Sequence, residues 1–211
     1  MYPTYTRSER VADGSMHAIG VTGALLGATL LLVWAAPLAP PWEITAITVS
    51  GLTLIGTFTA SAFYHMTPWE SLRPALRRID HAAIYLKIAG TYTPLVVMIG
   101  SGLAYVVLAV VWALALVGMV LKLVFWTTPG QFGPALYLAM GWMSVVLFWS
   151  SWSLLPIGYI IAGGLLYTVG VVFYAAKKMR FSNAIWHGFV IAASACFFVA
   201  ITLATTQQTA V

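Results

Sequence analysis

Pairs of polar side chains spaced one helical turn apart interrupt the apolar runs of this sequence. The segment "FSNAIWHGFV" places Asn183 four residues before His187, and "SAFYHM" places Ser61 four residues before His65. Side chains at positions i and i+4 lie on the same face of an α-helix. Each segment therefore predicts a helix face that presents a histidine together with a second polar group.

Two further segments carry ionisable residues at helical spacing. In "RRIDHAAIYLKIAG", Asp80 precedes Lys87 by seven residues, so the two lie on nearly the same helix face. In "ERVADGSMH", the residues Glu9, Asp13 and His17 recur at every fourth position. This second pattern predicts a polar stripe along one side of a helix at the start of the chain.

The chemistry available to these residue types is that of a metal-dependent hydrolase. Two histidines and a carboxylate, here His65, His187 and Asp80, form the ligand set of a catalytic zinc, which keeps one position for water. Ser61 is placed to hydrogen-bond that water or a substrate oxyanion. Lys87 is placed to neutralise Asp80 or to meet the headgroup of a substrate.

The composition places these residues in a membrane. Of the 211 residues, 61% are hydrophobic and 7% are charged, whereas soluble domains carry about 25% charged residues. No soluble core of this size buries so much apolar surface, so the sequence predicts an integral membrane protein. The single Cys196 excludes an intrachain disulfide and a cysteine-cluster metal site.

The apolar runs predict an all-α bundle of seven transmembrane helices that forms a single domain over residues 1–211. About 20 helical residues cross a bilayer. The predicted helices are 16–37, 46–66, 79–99, 102–125, 133–150, 153–176 and 184–205. The fifth is the shortest, and Gly133 and Pro134 open it.

Basic residues set the predicted orientation. Nine of the ten fall on one side of this arrangement, and the tenth, Lys87, lies inside a helix. The nine are Arg7, Arg10, Arg73, Arg77, Arg78, Lys122, Lys177, Lys178 and Arg180. The positive-inside rule puts that side in the cytoplasm, with the C-terminus outside, in the inner (plasma) membrane. This topology also accounts for the formal net charge of +5, so no nucleic-acid partner is expected.

The predicted topology brings the ionisable residues to one depth. His17, His65, Asp80 and His187 all lie near the inner ends of their helices, which predicts one polar site open to the cytoplasm. Ionisable groups inside a membrane helix usually mark function. Two structural alternatives stay open, namely a buried Asp80–Lys87 ion pair that only orders the bundle and an interfacial position for His17.

Several segments together resemble the motifs of the bacterial hemolysin III family. In order along the chain they are "SERVADGSMHAIG", "SAFYH", "RRIDHAAIYLKIAGTYTP" and "FSNAIWHGFV". The resemblance extends over about residues 8–202. This family is grouped with the progestin and adipoQ receptors, which include the adiponectin receptors, and is related more distantly to alkaline ceramidases.

The resemblance implies a zinc site near the inner face. It implies that a Ser-x3-His histidine in helix 2 and two His-x3-His histidines in helix 7 bind the metal, and that a helix-3 aspartate holds the metal-bound water. His65 and His187 match metal ligands, Asp80 matches the aspartate, and Ser61 matches the motif serine. Asn183 stands where the first helix-7 histidine occurs.

This departure leaves three interpretations open. Asp80 ligates the metal directly and completes a site of two histidines and one carboxylate, or Asn183 binds the metal weakly. Alternatively, the site holds no metal, and the polar residues form a hydrogen-bonded cluster or a binding pocket.

The leading functional prediction is a ceramidase-like, zinc-dependent hydrolase of lipid amides or esters, or a factor in membrane-lipid homeostasis. Asp80 and Ser61 are its predicted catalytic residues, and membrane lipids are its expected partners. One alternative is a receptor that binds lipid without turnover. Another is a channel or transporter in which His17, Asp80 and Lys87 relay charge. The family name suggests cytolysis, but the sequence has too few polar helix faces to line a wide pore, and it indicates no protein partner and no oligomeric state.

Overall fold

The structure is a computed structural model that describes residues 5–125, 132–145, 155–176 and 178–209. All regular elements in these residues are α-helices. In chain order they are α1 (Arg7–Ala35), α2 (Pro41–Met66), α3 (Arg73–Ile99), α4 (Gly102–Val124), α5 (Phe132–Trp142), α6 (Ile157–Ala175) and α7 (Ser182–Thr209). The predicted all-α bundle is confirmed.

Among the described residues, six helices are long and apolar enough to cross a membrane, and α5 is the exception. The prediction of seven spanning helices is met for six, because α5 has only 11 residues. Residues 146–150 of its predicted range lie outside the described residues. The ranges 46–66, 79–99, 102–125, 153–176 and 184–205 correspond to α2, α3, α4, α6 and α7.

Helix α1 begins nine residues earlier than the apolar run predicts, because a capping box starts it within the polar segment. The Thr6 hydroxyl accepts a hydrogen bond from the Glu9 backbone N–H, and the Glu9 carboxylate accepts one from the Thr6 backbone N–H at 2.9 Å. This reciprocal pair satisfies two donors that a helix start otherwise leaves free. The early start places Asp13 and His17 on the buried face of α1.

Close helix contacts fix α2 against its neighbours. A side chain at Gly90 of α3 would meet the Thr53 hydroxyl of α2 at 1.9 Å, and one at Gly20 of α1 would meet the Phe58 ring at 2.6 Å. The Thr57 hydroxyl also donates to the backbone carbonyl of Ala83, at 2.9 Å. Because glycine has no side chain, Gly20 and Gly90 let the neighbouring helices pack closely at these two positions.

Two apolar clusters fill the bundle. One joins α1, α2, α3, α6 and α7, with Leu31, Ile47, Leu95, Ile160 and Ile201 among its buried members. The other packs α3 against α4 and α5 around Tyr85, Val96, Val111 and Met140. Large side chains on the outer faces of α1 and α4 are exposed, as expected of surfaces that contact lipid.

The start of α1, the end of α2 and the starts of α3 and α7 meet at one end of the bundle, hereafter the basic end. Among the described residues, this end carries most of the Lys and Arg side chains. They are Arg7, Arg10, Arg73, Arg77, Arg78, Lys178 and Arg180. The polar residues that the sequence singles out on α1, α2, α3 and α7, Lys87 apart, lie near this end.

Candidate metal centre

Four metal-ligating side chains converge at the basic end, and we call them the ligand cluster. They are Asp13 and His17 from α1, His65 from α2 and His187 from α7. One ligand atom from each lies within 4.8 Å of the corresponding atoms of the other three. Asp13, His17 and His187 are buried, and the His65 side chain is only 11% exposed.

The carboxylate of Asp13 is the centre of this cluster. The Nδ1 atom of His187 donates to Asp13 Oδ1 over 2.6 Å. On the other carboxylate oxygen, Oδ2, the nearest nitrogens of His65 and His17 lie at 3.5 Å and 3.7 Å. The three imidazoles therefore surround one negative charge.

The three imidazole rings also pack on one another. His17 and His65 stack with ring centroids 5.0 Å apart. His187 lies 4.3 Å from His17 and 4.7 Å from His65, and its ring is nearly perpendicular to that of His65. Three different helices deliver these rings, so the cluster depends on how α1, α2 and α7 pack.

His17 has an unsatisfied nitrogen. Its Nε2 atom is buried and forms no hydrogen bond within the described part of the chain. Buried polar atoms almost always have a partner. A metal ligand without its ion is a direct physical explanation for such an atom.

The donor set fits zinc. Imidazole nitrogens and a carboxylate oxygen are zinc ligands, with bonds of roughly 2.0–2.2 Å, so tetrahedral ligand atoms lie roughly 3.3–3.6 Å apart. The cluster atoms lie within 4.8 Å of one another, so rotations of the side chains suffice to close the site. A zinc ion held by one carboxylate and three imidazoles would keep a net positive charge, which suits an anionic or strongly polarised fifth ligand.

Asn183 supports the cluster rather than joining it. Its Nδ2 atom lies 3.0 Å from Asp13 Oδ2 and 3.0 Å from His65 Nδ1. The amide group therefore connects the carboxylate of α1 to the imidazole of α2. That Asn183 binds a metal weakly stays a prediction, and in the structure its amide nitrogen, which is not a metal ligand, faces the cluster.

The ends of α1 and α7 are joined just outside the cluster. The Phe181 backbone N–H donates to Glu9 Oε1 over 3.1 Å, and Arg180 Nη2 lies 3.5 Å from Ser8 Oγ. Phe181 has a φ of 60°, which is uncommon for a bulky residue and requires surrounding contacts to hold it. Glu9 therefore fixes the start of α7 against α1 and lies outside the ligand cluster.

Asp80 and Ser61 are buried in the same region but outside the ligand cluster. The Asp80 Oδ2 atom lies 3.4 Å from His81 Nδ1, and its carboxylate interacts electrostatically with His65 and His187. That Asp80 completes the ligand set stays a prediction, and in the structure Asp13 is the carboxylate that lies among the imidazoles. Asp80 instead lies beside that set.

Lys87 does not pair with Asp80. Its ammonium group donates to the hydroxyls of Tyr167 and Ser194, with the Ser194 oxygen at 2.6 Å. The predicted ion pair is absent from the described residues, since Asp80 lies two helical turns closer to the basic end and faces His81. Lys87 therefore belongs to a separate polar group.

A pocket leads from the surface of the basic end to the cluster. It encloses about 370 Å³, and Asp13, His65 and Asn183 form its inner wall. Tyr5, Glu9, Arg10 and Phe181 line its outer part. A polar substrate group can therefore approach the cluster from the basic end.

The spacing in α1 was the signal for Asp13 and His17. The four-residue repeat of Glu9, Asp13 and His17 predicts a shared helix face, and the structure places Asp13 and His17 on the buried side. The sequence offers Asp80 as a carboxylate ligand because two histidines and a carboxylate form a catalytic zinc site, whereas the family resemblance gives Asp80 the role of holding the metal-bound water. Which carboxylate faces the histidines depends on the rotation of α1 about its axis, and this rotation depends on packing against α2 and α7.

Comparison with known proteins gives a consistent result along nearly the whole chain. The family described as "Haemolysin-III related" matches residues 5–198. A "Hemolysin-3 homolog" of Bacillus subtilis (strain 168) is 34% identical over 201 residues, which cover 93% of this chain and 94% of the relative. "Hemolysin-3" of Bacillus cereus is 31% identical over 197 residues, covering 92% and 90%.

An animal relative is also similar. The human "Monocyte to macrophage differentiation factor" is 27% identical over 202 residues, which cover 92% of this chain and 83% of the relative. The region matched by the family, residues 5–198, contains all four residues of the ligand cluster.

Proposed function

Because this chain belongs to the haemolysin-III-related family, we propose that it is a metal-dependent hydrolase of lipid amide or ester bonds. It is a multi-pass membrane protein. In this proposal Asp13, His17, His65 and His187 hold a zinc ion at the basic end of the bundle. Membrane lipids are its substrates.

The observation that carries the proposal is the buried ligand cluster. Three imidazoles and one carboxylate lie within 4.8 Å of one another, and the pocket at the basic end reaches Asp13 and His65. Buried charged and polar side chains are energetically costly inside a membrane. Where they occur, they therefore usually mark a functional site. Zinc accounts for the type and position of these ligands, and catalysis at it would require water as a fifth ligand or in place of one of the four side chains.

Zinc bound here would act as a Lewis acid that polarises a substrate carbonyl and activates water for attack. The chain's own residues organise this chemistry. Asn183 orients both Asp13 and His65 through its amide nitrogen. Such partners of metal ligands fix the orientation of the ligands and are important for metal affinity.

Asp80 is the proposed general base. It is buried beside His65 and His187 without belonging to the ligand cluster. A carboxylate in this position can accept a proton from water at the site and return it to the leaving group. Ser61, buried on α2 one turn before His65, is the proposed hydrogen-bond donor to the developing oxyanion.

The pocket determines which part of a lipid enters. Arg10 lines its outer part together with Tyr5, and the basic end as a whole attracts anionic headgroups. A lipid whose scissile bond lies just below the headgroup would present that bond to the cluster. Lipid amides and esters have their acyl linkage at this depth.

The experiment is a hydrolysis assay on the full chain reconstituted in lipid nanodiscs. The protein is stripped with a chelator, reloaded with zinc, and supplied separately with a ceramide and a diacyl phospholipid, and released fatty acid is measured by mass spectrometry. We expect zinc-dependent release from one of the two, lost in His187→Ala. Zinc-loaded protein that binds lipid but releases no fatty acid from either would contradict the proposal and favour a lipid receptor.

A further inference from the structure

The polar group around Lys87 forms a second site, away from the ligand cluster. Lys87 lies seven residues beyond Asp80 on α3, which is about 10 Å farther from the basic end. Its side chain is buried, with 7% of the residue exposed. Position 87 is near the middle of α3, so the ammonium group lies near the centre of the membrane-spanning bundle.

No Asp or Glu side chain of the described residues neutralises the charge of Lys87. All five Asp and Glu residues lie in the described ranges, and none forms an ion pair with Lys87, whose hydrogen-bond partners are Tyr167 and Ser194. The rings of Phe58 and Tyr167 each lie 5.0 Å from the ammonium nitrogen. Hydroxyls and aromatic ring faces partly stabilise the positive charge of the ammonium group, but they supply no negative charge to neutralise it.

Two of the three ammonium hydrogens are accounted for by Tyr167 and Ser194. The two hydroxyls also lie 3.1 Å from one another, and Ser194 donates to the Val190 carbonyl. Because the Ser194 hydrogen goes to Val190, Tyr167 is the donor in its contact with Ser194. The third ammonium hydrogen is available to an acceptor, and the Tyr167 hydroxyl hydrogen becomes available when it turns away from Ser194. This set of donors suits a carboxylate, whose two oxygens accept such bonds.

An elongated cavity runs from this group toward the end of the bundle opposite the basic end. Its volume is about 480 Å³, part of which is open to the outside of the bundle. Lys87, Tyr167 and Ser194 lie at its inner end, and its walls are mainly apolar, with Leu31, Ile47, Leu54, Phe197, Phe198 and Ile201 among them. From Ser194 to Ile201 along α7 the cavity is about 10 Å long.

We propose that this cavity binds a fatty acid, with the carboxylate on Lys87 and Tyr167 and the acyl chain along the apolar walls. The carboxylate supplies the charge that the chain lacks, and the apolar length matches a hydrocarbon tail. A phospholipid headgroup belongs at the membrane surface and does not reach this depth. The site goes beyond the proposed hydrolase function and does not require a metal.

The experiment measures binding of decanoate, with methyl decanoate as its uncharged counterpart, to the full chain in nanodiscs by native mass spectrometry. We expect decanoate to bind the native chain and Lys87→Met to weaken it at least about ten-fold, the effect of losing one charge-assisted contact. Lys122→Met is the matched control, since Lys122 lies on α4 and does not line the cavity. Decanoate should bind this control as it binds the native chain.

Further arms keep the result unambiguous. Leu54→Trp fills the apolar part of the cavity and retains Lys87, so it should also weaken decanoate binding. Methyl decanoate should bind the native chain no better than decanoate binds Lys87→Met. Equal decanoate binding by Lys87→Met and the native chain would overturn the proposal. Bound chloride at Lys87 that prevents decanoate from binding would also overturn it. Loss of zinc should leave decanoate binding unchanged, which separates this test from that of the hydrolase.

Discussion

Asn183 and Asp13 are joined across the interface between α7 and α1 by a hydrogen bond of 3.0 Å from the amide nitrogen to the carboxylate oxygen Oδ2. This contact supports the proposed metal site in a chain with asparagine at position 183. Helix α1 supplies Asp13 and His17 to the ligand cluster, and Asn183 holds Asp13 in place. The site is therefore built from α1, α2 and α7, with α3 beside it.

Removal of the Asn183 amide should weaken metal binding without abolishing it. In Asn183→Ala, Asp13 and His65 lose the group that orients them, and loss of such a partner typically lowers metal affinity about 10–100-fold. Competition with a zinc chelator of known affinity measures the change. Unaltered zinc affinity in Asn183→Ala would show that the amide has no part in the site.

The role of His17 can be tested against another histidine of the chain. In His17→Ala the site loses the imidazole whose Nε2 atom is unpartnered in the described structure, so zinc retention through purification should fall. His81→Ala is the control, because His81 lies outside the ligand cluster and should leave the zinc content near that of the native chain. Equal zinc contents in both variants would contradict the assignment.

Asp80→Asn should separate catalysis from metal binding. Asparagine keeps the shape of the side chain but cannot accept a proton from water, so the rate of hydrolysis should fall about 10²–10⁴-fold while zinc remains bound. Parallel measurement of fatty acid release and zinc content tests this. Loss of zinc together with activity would instead make Asp80 a ligand.

The packing of α2 against α3 gives a stability prediction that is independent of the site. A methyl group at Gly90 would lie 1.9 Å from the Thr53 hydroxyl oxygen and 2.8 Å from its Cβ. Gly90→Ala should therefore destabilise the bundle by about 1–3 kcal/mol, the usual cost of overpacking.

Gly56→Ala is the matched substitution on α2, because nothing lies within 4 Å of the added methyl group. It should leave the melting temperature unchanged or raise it slightly, since alanine favours helix more than glycine does. Thermal unfolding of both variants in the same detergent measures the difference. If Gly90→Ala is as stable as Gly56→Ala, the close contact between α2 and α3 at Gly90 does not contribute to stability as predicted.

Much of the fold was accessible from the sequence because its physical causes are local. The apolar runs and the one-sided basic residues predicted the helices and brought His65, Asp80 and His187 to one depth. Helix starts were less accurate, since the capping box of Thr6 and Glu9 extends α1 into a polar segment. Apolar content alone carries no information on such caps.

The identity of the carboxylate ligand could not be predicted from the sequence. Asp13 and Asp80 both lie near the inner ends of predicted helices, and depth does not distinguish them. The rotation of each helix, set by contacts such as Gly20 with Phe58, decides which carboxylate faces the histidines. The same holds for Lys87, which shares a helix face with Asp80 in sequence yet meets Ser194 and Tyr167.

The most direct test of the account is the zinc content of two isosteric variants, Asp13→Asn and Asp80→Asn, purified in mild detergent without chelator. Inductively coupled plasma mass spectrometry on the native chain should find about one zinc ion per chain. The account predicts that Asp13→Asn loses most of this zinc and that Asp80→Asn retains it. Retention of zinc by Asp13→Asn and its loss from Asp80→Asn would contradict the ligand cluster as we assign it.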